Sequence, residues 1–320
     1  MKKRVVTKPY TTAPINTNPP TISSSKPPFG YYGAKQRIAS QIIGSLPPHH
    51  AWVEGFCGSA AITLAKAPAP IEIINDLDGQ IVNVFKQLRE NADALCRAVA
   101  LTPYAREEFH HACMDIPLDN PLEKARRFLV ATMMTVNSTV GSPQCGFSFS
   151  QSYSRNDREA RVNRWYNLPD RLAEVVERLR NVRVENRDAC ELLEMFQDRP
   201  ATLIYLDPPY FVKRNHKYVI DAQDKAFHEK LLKLCCKSKS MILLSGYDNE
   251  LYRDRLTKKH GWTQIAISTK TRDTRGRDYE RTEILWKNKN LTNAVLKGKV
   301  PIRLTKQEKE DNKVNPPRSR

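Results

Sequence analysis

The sequence predicts an α/β fold built on a mostly parallel sheet, with a helical insertion and a last strand pair that runs antiparallel. Three observations predict it. Seven short apolar runs rich in β-branched and aromatic residues recur between residues 52 and 286, most of them separated by stretches of helical periodicity. That alternation is what a parallel sheet needs, because each parallel connection must cross over one face. About a hundred residues separate the second run from the third, far more than one crossover helix requires, and no helical pattern separates the last two runs.

Residues 1–26, rich in Pro, Thr, Ser and Lys, read as a disordered basic lead. The first strand is "WVEGF" at 52–56, followed by a Gly/Ser turn and an Ala/Leu-rich helix, and the second is "IEII" at 71–74. Residues 88–181 are expected to form the insertion. Within it "NPLEKARRFLVATMMTV" has Pro121 at a first helical position, and "LPDRLAEVVERLR" sets Leu172, Val175, Val176 and Leu179 on one helical face. Then come "VRVE" at 182–185, "TLIYL" at 202–206, "MILLS" at 241–245, "TQIAIST" at 263–269 and "TEILW" at 282–286. Residues 27–87 and 182–290 thus make one domain, and residues 291–320 are expected to be a basic, flexible tail.

The 320 residues leave room for one large α/β domain carrying a smaller helical part. Lys and Arg number 52 against 35 Asp and Glu, an excess that favours an anionic partner such as nucleic acid. Much of it is terminal: residues 1–26 carry five basic and no acidic side chains, and residues 287–320 carry ten basic and three acidic. An ordered binding face therefore depends on how the other charges cluster. Nothing approaches the roughly eighteen consecutive apolar residues of a membrane span, and no signal-peptide pattern is present, so no membrane partner is expected. Seven cysteines without a CxxC pair imply reduced thiols in the cytoplasm. The pairs His49-His50 and His110-His111 lack ligand spacing, and no metal site is expected. No feature of the chain indicates an oligomeric state.

In "WVEGFCGSAAITLAK", Gly55, Gly58 and Ser59 let the backbone approach a ligand closely, and the helix start offers amides to an anion. A strand-to-helix turn also needs small residues for steric reasons alone. The second strand, however, ends in Asn75-Asp76, eighteen residues after Gly58. An acid at that tip accepts hydrogen bonds from both ribose hydroxyls of a bound nucleoside, with Asp78 as the competing position.

Asp207-Pro208-Pro209-Tyr210 closes the strand "TLIYL" with a carboxylate at its carboxyl end, where open α/β sheets bind ligands. The prolines stiffen the turn and donate no backbone hydrogen bond. The Asp207 carboxylate and the Pro208 carbonyl can accept both hydrogens of an exocyclic amine, whose delocalised lone pair is otherwise a poor nucleophile. Tyr210 can stack on the base that carries it. Catalysis then consists of positioning and of stabilising charge that develops on nitrogen. An N-capping Asp before a Pro-rich loop is the plain structural alternative.

With these motifs in this order, the chain resembles the Dam-like class of DNA adenine N6-methyltransferases from residue 27 to about 290. "PFGYYGAK" at 28–35 resembles the class's opening, "FCGSAA" its cofactor loop, "NDLD" its ribose acid, "DPPY" its catalytic turn and "RTEILWKN" at 281–288 its closing strand. The resemblance implies a Rossmann-like methyltransferase sheet with a helical target-recognition insertion. It further implies S-adenosylmethionine as cofactor and transfer of its methyl group to a flipped-out adenine in double-stranded DNA. By position, Tyr31, Lys35, Phe56 and Gly58 line the cofactor pocket and Asp76 holds the ribose. Asp188, in "ENRDACELL", sits near the cofactor adenine or simply caps a helix, and Asp207 serves both the cofactor and the target amine. The class's second loop glycine is Ala60 here. The same turn would serve cytosine N4 or an RNA adenine, and a silent nucleic-acid-binding protein could keep the fold.

A base must leave the stack before its amine can be methylated, so this reading calls for a surface that grips distorted duplex. "SYSRNDREARVNRWY" spaces Arg155, Arg158, Arg161 and Arg164 three apart, near one face of a helix, with Trp165 and Tyr166 following. "STKTRDTRGRDYER" puts Lys270, Arg272, Arg275, Arg277 and Arg281 in the connection between the last two strands. Arginine suits both phosphate contact and bidentate reading of guanine, although either stretch can also be a solvated basic surface. The polar loop "NSTVGSPQCGFSFS" is a further candidate for probing a groove.

Overall fold

A computed structural model of the chain describes residues 25–31, 33–114, 117–136, 146–151, 153–211, 224–272 and 278–299. After a 3-10 turn at Lys35–Arg37 come α1 (Ala39–Gly44), β1 (Ala51–Glu54), α2 (Ala61–Ala65), β2 (Ile71–Asn75) and α3 (Gly79–Glu90). The helical stretch adds α4 (Ala92–Leu101), α5 (Arg106–Cys113), α6 (Pro121–Met133), the two-residue strands β3 (Ser154–Arg155) and β4 (Arg158–Glu159), α7 (Ala160–Tyr166) and α8 (Leu168–Leu179). The chain then returns through β5 (Val182–Glu185), α9 (Ala189–Phe196), β6 (Thr202–Leu206), α10 (Lys225–Lys237), β7 (Met241–Gly246) and α11 (Glu250–Arg255). It closes with β8 (Thr263–Arg272), β9 (Asp278–Lys287) and α12 (Lys289–Lys297).

Seven strands form one sheet in the order β5-β2-β1-β6-β7-β9-β8, and all seven expected runs are in it. β1 pairs in parallel with β2 and β6, while β9 runs antiparallel to both β7 and β8. The sheet is therefore Rossmann-like, with the expected reversed pair at one end. The chain turns outward from β1 in opposite directions, through β2 on one side and β6 on the other, so a crevice opens where their carboxyl ends diverge.

Side-chain alternation builds the layers. Leu203 and Tyr205 of β6, with Met241 and Leu243 of β7, face the core under α1, α2 and α12, whereas Ile204, Leu206, Ile242 and Leu244 face the core under α9, α10 and α11. Burial on both faces is why these strands read as unbroken apolar runs rather than alternating ones. A third core joins α3, α4, α6 and α8 and reaches the sheet edge through Ile74 and Val182. Among the described residues no helix is long and apolar enough to cross a membrane.

Three boundaries differ from expectation. α3 runs to Glu90, past the insertion boundary drawn at residue 88, because its buried stripe ends on Leu88 and its cap falls on Asn91. The tail expected to be flexible from residue 291 starts as α12. Leu291 and Ala294 pack on the sheet, and the Asn288 side chain caps the helix while bonding Ile242 and Ser240. β8 and β9 are each ten residues long, so the connection between them is shorter than the sequence suggested. Residues 1–24 and 300–320 lie outside the described residues.

A buried ion cluster ties the insertion to the sheet. Glu72 of β2 accepts from Lys66 at 2.7 Å and from Arg178 of α8 at 2.5 Å, and Arg178 also donates to the Thr63 carbonyl at 2.6 Å. Burial pulls Lys66 below its ordinary value despite its partner, while Arg178 and Lys66 overcome burial and hold the Glu72 carboxyl down. Arg178 is thus the dominant countercharge. Neutralising Glu72 leaves two buried cations without it, so Glu72→Gln is expected to destabilise the fold by about 3–5 kcal/mol in urea unfolding.

Candidate active site

The loop after β1 is shaped by tight contacts. Gly58 has φ +48°, and a Cβ there would stand 2.9 Å from the Tyr31 ring, so only glycine lets that ring close over the loop. Ala60 also adopts a left-handed conformation, with φ 55° and ψ 36°. The glycine that the class carries there is thus replaced by an alanine holding a glycine-like backbone, at a cost of about 1–2 kcal/mol. α2 is only five residues long and its Thr63 amide is bonded to Glu54 at 3.0 Å, so the loop rather than the helix start offers the ligand its backbone.

Glu54 was not singled out from the sequence. It is buried at the end of β1, accepts the Thr63 hydroxyl as well as the amide, and burial pushes its carboxyl up to about 8. An acid inside the apolar run "WVEGF" was the available signal.

Next to it, Asp76 accepts the Gly58 amide at 2.8 Å and the Asp78 amide at 3.0 Å. Burial raises its carboxyl to about 6, against those two bonds. Asp78 instead caps α3, accepting the Gln80 amide at 2.8 Å. Asn75 staples the neighbouring loops: its side chain donates to the Gly55 and Arg187 carbonyls and accepts the Arg187 amide. Asp188 caps α9 through the Cys190 and Glu191 amides while also lining the cleft, which makes its two readings compatible.

Asp207 follows β6 directly. Its Oδ2 lies 2.6 Å from Lys35 Nζ, which also donates to the Gly33 carbonyl at 2.9 Å and sits 3.3 Å from Glu283 Oε1 on β9. Burial alone would lower the Lys35 ammonium, but Asp207 and Glu283 carry it above its ordinary value, so it stays charged. Tyr210 donates its hydroxyl to Glu283 and meets Tyr247 edge-on at 4.5 Å. Neither Glu283 nor Tyr247 was singled out from the sequence, although Glu283 is an acid inside the apolar run "TEILW".

A cleft open to solvent collects these residues. Tyr31, Lys35, Phe56, Gly58, Asp76, Asp188 and Asp207 all line it, with Pro209 at its edge and Phe227 opposite Phe56. Pro208 and Tyr210 stand just beyond, on the same turn. Among the described residues no cluster of side chains could hold a metal ion. Residues of the opening, cofactor-loop, ribose-acid and catalytic-turn motifs thus meet in one cleft, and the D12 class N6 adenine-specific DNA methyltransferase family matches this sequence over residues 31–272. The chain belongs to that family.

Its activity is transfer of a methyl group from S-adenosylmethionine to adenine N6 in DNA, rather than to the cytosine N4 or RNA adenine that the turn would serve as well. The cleft of this D12 methyltransferase fits that cofactor: Asp76, Asp78, Asp188 and Asp207 outnumber Lys35 and Arg187, which suits a ligand of net positive charge. Among solved structures, PH1948 of Pyrococcus horikoshii, a candidate RNA methyltransferase, is 10% identical over 79% of this chain and 77% of its own, with a TM-score of 0.32. A precorrin 8W decarboxylase, the product of gene MT0146 of Methanobacterium thermoautotrophicum, is 11% identical over 82% of this chain and 95% of its own, with a TM-score of 0.34. No curated protein matches.

The basic stretches are arranged differently from the single helical face expected. Asn156 and Asp157 take φ 53° and 56°, which folds Arg155 and Arg158 into the β3-β4 hairpin. Asn and Asp are the residues that most readily adopt such a turn, and Glu159 then caps α7 through the Arg161 and Val162 amides. Only Arg161 and Arg164 are helical. Arg155, Arg158 and Arg161 are exposed, with Arg158 lying 4.0 Å over the Tyr166 ring, whereas Arg164 is half-buried against Met133. Trp165 is core, donating to the Thr102 carbonyl. Lys270 and Arg272 have their backbone in β8 instead of the connection, and Arg281 has its backbone in β9. Arg275 and Arg277 lie outside the described residues, as does most of the loop "NSTVGSPQCGFSFS".

Two changes in the loop should act in opposite directions. Gly58→Ala is expected to drive the Tyr31 ring out and weaken donor binding, while Ala60→Gly should raise thermal stability by about 1 kcal/mol. Donor affinity should also fall as pH drops through about 6, where Asp76 gains a proton and loses acceptor capacity. Asp76→Asn should flatten that dependence in a calorimetric pH series.

Proposed function

We propose that this methyltransferase acts on an adenine extruded from double-stranded DNA, with Asp207, Pro208, Pro209 and Tyr210 forming the target site and Asp76 and Gly58 the donor site. The observation that carries the reading is the Lys35-Asp207 pair at the edge of the donor cleft, which fixes one carboxylate oxygen and orients the other side of the turn. S-adenosylmethionine, when bound, supplies a methyl group activated on a sulfonium. Asp207 and the Pro208 carbonyl then accept the two amino hydrogens of the base and favour a pyramidal nitrogen with its lone pair toward the methyl group. Tyr210 stacks on the ring and keeps it from returning to the duplex. Lys35 pairs with the Asp207 carboxylate and holds it in place, so the positive charge developing on nitrogen meets a preorganised anion.

The helices between β2 and β5 serve target recognition in this reading. What supports it is a surface of arginines and aromatics there. Arg106 lies 4.9 Å over Phe147 and 5.5 Å over the exposed Phe149, and Tyr104 packs on Phe147 while donating to the Ser148 carbonyl. Exposed Tyr153 and Tyr166 accompany the hairpin arginines. Such pairs suit phosphates and unstacked bases together.

Asp207→Ala is expected to lower methyl transfer roughly a hundredfold or more, read as label incorporated into unmethylated DNA. Near-normal turnover by the folded variant would remove Asp207 from the site. For the DNA face, replacing exposed Arg155 and Arg161 by Gln should weaken binding to all duplexes and flatten the slope of log affinity against log salt by about one unit for each phosphate no longer neutralised. Deleting residues 1–26 should lower affinity only modestly. A truncation that removes most of the salt dependence, with the arginine changes removing none, would move the DNA face away from the insertion.

A further inference from the structure

One buried carboxylate beside the cleft takes no part in methyl transfer as drawn above. Glu283 is 7% exposed and sits on β9, where the next residue, Ile284, pairs with Gly246 at the end of β7. It therefore stands one residue beyond the carboxyl end of β7, level with the crevice. Because β9 is antiparallel, it brings this side chain to the site from the closing strand, across the sheet from the cofactor loop.

Its Oε1 meets two groups at once. It accepts the Tyr210 hydroxyl, and Lys35 Nζ lies 3.3 Å away, the same ammonium that stands 2.6 Å from Asp207 and 5.0 Å from the centre of the Tyr210 ring. Tyr247 meets the Tyr210 ring edge-on, at 4.5 Å and 69°. A tyrosine ring hinged only at its Cβ can rotate about two torsions. Held at its hydroxyl and its edge, it is a fixed platform, and a fixed platform spares the reaction the entropy of ordering it.

We propose that Glu283 is a positioning residue for methyl transfer, which sets the angle at which Tyr210 presents its ring to the target adenine and links that angle to the Lys35-Asp207 pair. This rests on the reading of Asp207 to Tyr210 as the target site. Ionisation of Glu283 governs the link. The groups that face it are Lys35 from the 3-10 turn, Asp207 and Tyr210 from the turn after β6, and Tyr205 within β6. Burial pushes its carboxyl up to about 7, with Lys35 pulling it down and Asp207 pushing it up. Above that pH Glu283 is an anion and holds both partners. Below it the carboxyl carries a proton, Lys35 loses one of its two carboxylates and the Tyr210 hydroxyl loses its charged acceptor.

The test is single-turnover transfer of labelled methyl groups to unmethylated phage DNA at saturating donor, across a pH series spanning the Glu283 value. Glu283→Ala and Tyr210→Phe should each lower the rate roughly ten- to hundredfold, and the double variant should be no slower than the slower single one, because both remove the same hydrogen bond. The wild type should lose rate as pH falls through the Glu283 value, whereas Glu283→Gln, which keeps an acceptor for the hydroxyl, should be faster than Glu283→Ala and lack that acid limb. Donor affinity should be retained in all of them, since Asp207 and Gly33 still hold Lys35. Additive losses in the double variant, a wild-type rate in Glu283→Ala, or an unchanged acid limb in Glu283→Gln would overturn the proposal. Should Glu283→Ala fail to fold, the pH profile of Glu283→Gln decides. Asp207→Ala measured alongside separates the two levels: an active Asp207→Ala defeats the target site itself, whereas an inactive one beside unaffected Glu283 variants defeats only the role of Glu283.

Discussion

A buried ammonium cannot stand alone, and the active centre is organised around that constraint. Removing Lys35 from water costs several kcal/mol unless anions surround it. Asp207 and Glu283 supply them, with the Gly33 carbonyl as a third acceptor. The three come from chain segments far apart in sequence: the lead into the first helix, the turn after β6 and the last strand in chain order. One point charge therefore fixes the mutual position of the donor cleft, the target turn and the antiparallel edge. Its cost is offset by the carboxylate of the proposed target turn.

The donor side of the cleft obeys a different economy, that of backbone groups. Asn75, Asn186 and Asp76 between them satisfy amides and carbonyls in the loops after β1, β2 and β5, leaving those loops little freedom to rearrange. Within that frame Ala60 is held in a left-handed conformation by the backbone bonds on either side, which keep the strained torsions in place. Glu54 and Thr63 complete the frame from below: the Thr63 hydroxyl accepts from Trp52 at 2.7 Å and donates to Glu54, so the core and the cleft share one hydrogen-bonded chain.

The helical part between β2 and β5 is joined to the sheet in two ways that differ in kind. Its apolar core runs without a break into Ile74 and Val182 at the sheet edge, and the Glu72-Lys66-Arg178 cluster pins α8 to β2 and α2. Such a joint resists rotation as well as separation. A surface of arginines and aromatics mounted on it would keep a defined distance from Asp207, which matters for an enzyme that must present one base to one carboxylate.

The sequence by itself determined which segments would become strands and where their chemistry would lie. Apolar runs buried on both faces are legible without tertiary information, and a residue at the end of such a run must fall at the carboxyl edge of a parallel sheet. Asp76 and Asp207 were placed at that edge for this reason, whereas Asp188 was pointed to by the resemblance. Only the tertiary structure decided what depended on long-range packing or on single torsions. Glu283 looked like one more residue of a strand until the antiparallel register carried it beside Lys35 and Tyr210. The even spacing of Arg155, Arg158, Arg161 and Arg164 resembled a helical face, but positive φ at Asn156 and Asp157 turned the first two into a hairpin. A period of three describes a helix only while every intervening residue stays right-handed, and spacing alone carries no record of torsion sign.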